Sequence, residues 1–273
     1  MSKIATIIKP FLPILSAIYG LALIYITALP LADGEGSLAN EAVGWILTLA
    51  AILLTVFVVI PIERKVYPES RQFSLKPPTL TVAAGLLLIA PLWLVTQEAI
   101  VYGLTSLFHS VQTETLTYTS DELREDLLSS VHAVFLAPVL EELCYRQLAI
   151  SPFRRRKSQI IVCVIMAVLF GILHVRNFMG ASIAALLFGI VYIWSRNIWY
   201  AVLLHAGSNL TATLFAIYCC LGLGEIQTCK SPVIFLPDMK VFIASLLLAI
   251  IGVVALKASR RPSHLERGFR RTT

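Results

Sequence analysis

The sequence predicts an all-α polytopic membrane bundle of about eight transmembrane helices, and three observations lead there. Of 273 residues, 58% are hydrophobic and 14% charged, against about 25% charged in a soluble domain. Eight apolar runs each approach the roughly 20 residues that cross a bilayer. The basic residues fall almost entirely in alternate connections, the distribution that orients membrane proteins. The first observation argues against a soluble enzyme, a nucleic-acid binder or a disordered chain. A water-soluble globule of this length needs far more polar surface.

The runs follow in order. Phe11–Leu31 is uncharged and preceded only by Lys3 and Lys9. It is too long for a signal-peptide core and lacks a clear small-residue cleavage site, so it reads as a retained helix. Val43–Ile62 and Thr79–Gln97 are also uncharged. Leu127–Ile150 is apolar except for Glu141, Glu142 and Arg146. Ser158–His174 and Phe178–Ser195 form a pair with a short connection. Asn197–Gly224 is uncharged throughout, and Val241–Leu256 centres the eighth run. No internal repeat or separate soluble domain is evident, so residues 1–273 form one integral membrane domain. The long connection Ser106–Asp126 contains an acidic stretch, Asp121 to Asp126, that suits a short interfacial helix.

Seventeen basic residues lie on one side of these runs. They are Lys3 and Lys9, then Arg64, Lys65, Arg71 and Lys76, then Arg154 to Lys157, then Arg196, and six from Lys257 to Arg271. The other side has Arg124, Arg176, Lys230 and Lys240, together with Asp33, Glu35, Glu41, Glu114 and the acidic stretch. Basic residues accumulate on the cytoplasmic side, so both termini are expected there. The net charge of +6 is an orientation signal and not a nucleic-acid footprint. The five cysteines have no C-x-x-C spacing; Cys229 lies in a polar stretch, where pairing with Cys219 or Cys220 is left open.

Ionisable groups inside a span cost several kcal/mol by insertion scales and are functional candidates by default. In the fourth run Glu142 and Arg146 are four apart, the order that favours an ion pair on one helical face. Glu141 lies roughly 140° from Arg146 around the helix. The simplest division gives Arg146 to Glu142 and leaves Glu141 facing a cavity, as a general acid or base would. A plain Glu–Arg brace between helices is the competing reading. Pro138 removes a backbone hydrogen bond just before the pair. In the fifth run Phe170 and His174 share a face, and in the seventh His205 and Asn209 do. A lone His near a helix end, or a lone Asn in a span, is as often an interhelical contact.

Depth relates these groups. Glu141 and His174 both lie roughly 25 Å along their helices from the basic turn at Lys157. His205 lies roughly 13 Å beyond Arg196, so the three meet only if the Ser151–Lys157 turn projects beyond the bilayer. Two chemistries suit such a set: water activation by a Glu/His pair with donors for an oxyanion, or a zinc ion held by Glu141, His174 and His205. There is no H-E-x-x-H and no G-x-S-x-G, the usual zinc-protease and serine-hydrolase signatures.

E-E-x-x-x-R, F-x-x-x-H and H-x-x-x-N, in this order on separate runs, resemble the CPBP family of CAAX-type and bacteriocin-processing intramembrane endopeptidases, also called the ABI family. The resemblance covers residues 127–214, the expected catalytic core. It implies that Glu141 is the catalytic glutamate and that His174 helps activate water. It implies that His205 and Asn209 stabilise the oxyanion, and that Glu142, Arg146 and Phe170 support them. The implied substrate is a peptide or protein at the membrane. No cofactor is the preferred reading, because an arginine beside the acids is an odd neighbour for a cation. A bacterial inner membrane is the expected location; oligomeric state is not readable. Two other functions remain: an immunity factor or scaffold that kept the fold, and a proton-coupled carrier using Glu and His as relays.

Overall fold

The computed structural model describes residues 3–28, 38–108, 113–116, 120–174, 177–222, 226–229, 235–237 and 239–259. A short helix α1 (Lys3–Ile8) and a 3₁₀ turn (Lys9–Phe11) lead into α2 (Leu12–Ala28). Helix α3 (Leu38–Leu54) passes through a π-helical turn (Thr55–Val59) into α4 (Ile60–Val66). Helix α5 (Leu80–Phe108) is followed by α6 (Ser120–Phe135), α7 (Ala137–Glu142) and a second π-helical segment (Leu143–Leu148). The remainder is α8 (Arg156–Leu173), α9 (Phe178–Ser195), α10 (Ile198–Cys220) and α11 (Met239–Ser259).

Among the described residues seven helical stretches are long and apolar enough to cross a membrane, which makes this a multi-pass integral membrane protein. They match the predicted runs from the second to the eighth. The first run becomes α2, at 17 residues slightly shorter than the rest. Many apolar side chains of these helices, Phe57, Leu107, Leu247 and Val254 among them, point outward. A soluble fold would bury them; a bilayer solvates them.

A feature absent from the sequence reading is a small antiparallel sheet, β1 (Thr113–Leu116), β2 (Ile226–Cys229) and β3 (Phe235–Pro237), in that order. Thr113 pairs with Cys229 and Ile226 with Pro237. The sheet joins the α5–α6 connection to the α10–α11 connection at one end of the bundle. The side chain of Cys229, and the acidic or basic residues of 29–37, 175–176, 230–234 and 260–273, lie outside the described residues.

At the opposite, arginine-rich end, the connection after α4 is stitched to the α9–α10 turn. The Ser74 amide donates to the Arg196 carbonyl at 2.7 Å and the Trp199 indole to the Leu75 carbonyl at 2.8 Å. Arg196 ends α9 in the left-handed conformation, φ 53°. Asn197 caps α10 by accepting from the Trp199 amide, the role for which Asn is favoured. Lys9 pairs with Glu69 at 3.3 Å. The Glu69 backbone amide, seconded by Lys9, holds that carboxyl below the usual range.

Small residues let the helices approach closely. A Cβ at Gly85 of α5 would press on the Gly252 carbonyl of α11, and one at Gly207 of α10 would press on Ala90 of α5. Between them a core of Phe73, Tyr145, Phe188 and Tyr192 is fully enclosed, with Phe73 stacked on Tyr192 at 4.5 Å.

Several expected boundaries move, and buried polar groups appear in consequence. The second run was expected to end at Ile62, but helix continues through Val66, so Glu63 is buried rather than in a loop. Ser151 donates to Glu63 at 2.8 Å, Gln147 to Ser151 at 3.1 Å and Tyr192 to Gln147 at 2.9 Å. The third run was expected to end at Gln97, but α5 continues to Phe108 and buries Glu98, which accepts from Gln97 at 3.2 Å.

Candidate active site

The span bearing the two acids is not one continuous α-helix. Helix α6 stops at Phe135, Leu136 forms a turn, and α7 restarts with Pro138 in its first turn. Pro lacks the N–H that an interior position would need, so it sits where helix hydrogen bonding begins. After Glu142 the chain widens into the π-helical segment. Such single wide turns are frequent at functional sites because they re-aim side chains.

Glu142 is fully buried and forms an ion pair with Arg146, Nε to Oε2 3.1 Å. The pairing expected from the i, i+4 spacing is therefore present. Arg146 is buried as well and donates from Nη2 to the Ala185 carbonyl of α9 at 3.0 Å. Its guanidinium lies 5.5 Å from the Phe170 ring centre and 5.9 Å from that of Phe188. A charge withdrawn from water is tolerable only with such partners.

Glu142 has a second partner. The His205 Nδ1 hydrogen donates to Glu142 Oε1 at 3.0 Å. The other ring nitrogen, Nε2, lies 3.7 Å from Glu141 Oε2. His205 thus stands between the two carboxylates, sandwiched against Phe188 at 5.0 Å. Glu141 is the more open acid, with 12% of its side chain exposed against none for Glu142. The assignment of Arg146 to Glu142, with Glu141 the more accessible, is the one the spacing predicts.

His174 caps the C-terminus of α8, one residue past the helix. Its Nδ1 hydrogen donates to the Phe170 carbonyl at 2.8 Å, and its ring stacks on Phe170 at 4.2 Å. The tautomer this fixes leaves Nε2 with its lone pair. The side chain is exposed. Phe170 is the common neighbour: its ring also meets Tyr145 edge-on at 5.4 Å and His205 at 6.0 Å. Asn209 sits one turn beyond His205 and donates from Nδ2 to the Ala133 carbonyl of α6 at 2.7 Å.

The structure therefore brings Glu141, Glu142, Arg146 and His205 into contact and ties His174 to them through Phe170. Asn209 is attached to α6, the helix that precedes the one bearing the acids. Phe188 and the carbonyls of Ala133 and Ala185 belong to the site but escape sequence reasoning. Phe188 lies in an uncharged run with nothing to distinguish it, and a backbone carbonyl carries no sequence signal.

The alternative zinc set of Glu141, His174 and His205 does not fit this arrangement. A guanidinium adjoins the acids, 3.1 Å from Glu142 Oε2, where it would repel a cation. Among the described residues no three His, Cys, Asp or Glu side chains are grouped to hold a metal ion.

Fold and site together define a polytopic membrane protein with a buried pair of acids engaged by histidine. Residues 124–211 match the family model described as type II CAAX prenyl endopeptidase Rce1-like. The matched segment coincides with the part of the chain that carries the three motifs, and it supports protease activity of the CAAX type. No curated protein and no solved structure matches the chain.

Proposed function

We propose that this protein is an intramembrane endopeptidase that hydrolyses a peptide bond in a membrane-associated or exported peptide or protein. The observation that carries the proposal is the His205 ring held between a fully buried Glu142 and a more accessible Glu141, inside the segment that matches a protease family.

Glu141 takes a proton from water, with His174 Nε2 as the neighbouring acceptor. The water oxygen forms a bond to the scissile carbonyl carbon, and the carbonyl oxygen becomes an oxyanion. His205, when it carries both protons, points Nε2–H into the space beside Glu141, where it can donate to that oxyanion; Asn209 has a second amide hydrogen for the same task. The C–N bond then breaks, and the proton held by Glu141 passes to the leaving amine. Glu142 and Arg146 orient His205 without contacting substrate. Preorganised donors in a water-poor site are the largest contributors to such catalysis.

A direct test is cleavage by purified protein in lipid vesicles presented with a panel of membrane-anchored and exported peptides, scored by mass spectrometry of the products. A defined cut in one class supports the proposal. Intact peptides across the panel, with correctly folded protein, count against it.

A further inference from the structure

The face of α10 turned away from His205 holds a separate feature. Pro91 of α5, Leu214 and Phe215 of α10, and Ala244 and Leu248 of α11 line a groove of about 340 Å³. Its origin is mechanical. The Gly85–Gly252 and Ala90–Gly207 contacts pin α5 against α11 and α10. Pro91, inside α5, is the next residue, and beyond it the gap between the three helices is left unfilled. Leu214 and Leu248 are partly exposed, so the groove opens on the outer, lipid-facing surface of the bundle.

One end of the groove is polar. Tyr218 and Lys240 line it, and Lys240 lies in the first turn of α11, eight residues and about 12 Å from Leu248. Lys240 is exposed and makes no ion pair among the described residues. An apolar slot that runs into the bilayer from a lone cation at its rim matches an acyl chain below an anionic headgroup. Its volume is at the low end for small-molecule sites, whereas a partner helix about 10 Å across would not enter it.

We propose that this groove binds one anionic phospholipid, with an acyl chain along Leu214, Phe215, Ala244 and Leu248 and the phosphate at Lys240. The site is independent of the endopeptidase reading, since it lies on the opposite face of α10. Native mass spectrometry of the full chain, released from vesicles with equal phosphatidylglycerol and phosphatidylcholine of the same chain length, tests it. Wild type should retain one phosphatidylglycerol in preference. Lys240→Glu, at an exposed position, should cut that preference by about fivefold or more, the attraction of one basic residue near an anionic surface. Ala244→Trp should fill the slot and lower retention of both lipids. A photoreactive residue in place of Ala244 should form an adduct of one lipid mass. Equal retention by all three proteins, a preference abolished by inorganic phosphate, or an adduct to a polypeptide would overturn the proposal.

Discussion

Glu141 and Glu142 are neighbours of the same chemistry placed in different surroundings. Glu142 is closed in by Arg146 and His205, and Glu141 keeps an accessible edge. Their mutants should differ accordingly. Arg146→Ala strands a buried carboxylate, a loss that typically costs about 3–5 kcal/mol, so the yield of folded protein should fall together with activity; thermal unfolding in detergent measures it. His205→Gln removes the group between the two acids and should lower cleavage by roughly 10²-fold with a smaller loss of stability. A strong chelator should leave cleavage by purified protein unchanged, because the Arg146 guanidinium beside the acids repels a cation; activity lost on chelation and restored by zinc would reverse that reading. At this scale the sequence was informative where a charge stood in an apolar run. The Glu142–Arg146 pair was legible from spacing alone. The bridging position of His205 was not, because it depends on how α10 is rotated against α7, which no local pattern encodes.

Helices position these groups through breaks and close contacts. The restart at Pro138 and the wide turn after Glu142 set the direction of both acids. The proline signalled the first; a π-helical turn leaves no comparable mark in residue type. The same limit hid Glu63, since a wide turn carried α3 into α4 beyond the expected boundary. Helices α8 and α9 are held close where Gly171 meets Ser182 and the Phe178 carbonyl. Gly171→Val should force them apart, destabilise the protein by about 1–3 kcal/mol and displace His174. Cleavage should fall more than folded yield does, which parallel assays of rate and thermal unfolding would reveal; unchanged cleavage would free His174 from the site.

At the scale of the molecule, the seven stretches among the described residues that are long and apolar enough to span, with the preceding α2, agree with the run count because bilayer thickness imposes a length that sequence displays directly. The three-stranded sheet was not legible: its strands lie in separate connections and are too short to show alternation. The 17-to-4 division of basic residues predicts both termini in the cytoplasm. Reporter fusions after Lys76 and Lys157 should read cytoplasmic, and one near Glu114 external. A reversed result at any of the three would overturn the orientation.

The central claim is that Glu141 activates the attacking water. Its most direct test compares initial cleavage rates of wild type and Glu141→Gln in the same vesicles, with matched unfolding temperatures as the control. The substitution keeps shape and removes the basic oxygen, so the rate should fall by at least about 10²-fold, the range for a lost general base, while unfolding temperature changes little. Equal rates for the two proteins would contradict the claim.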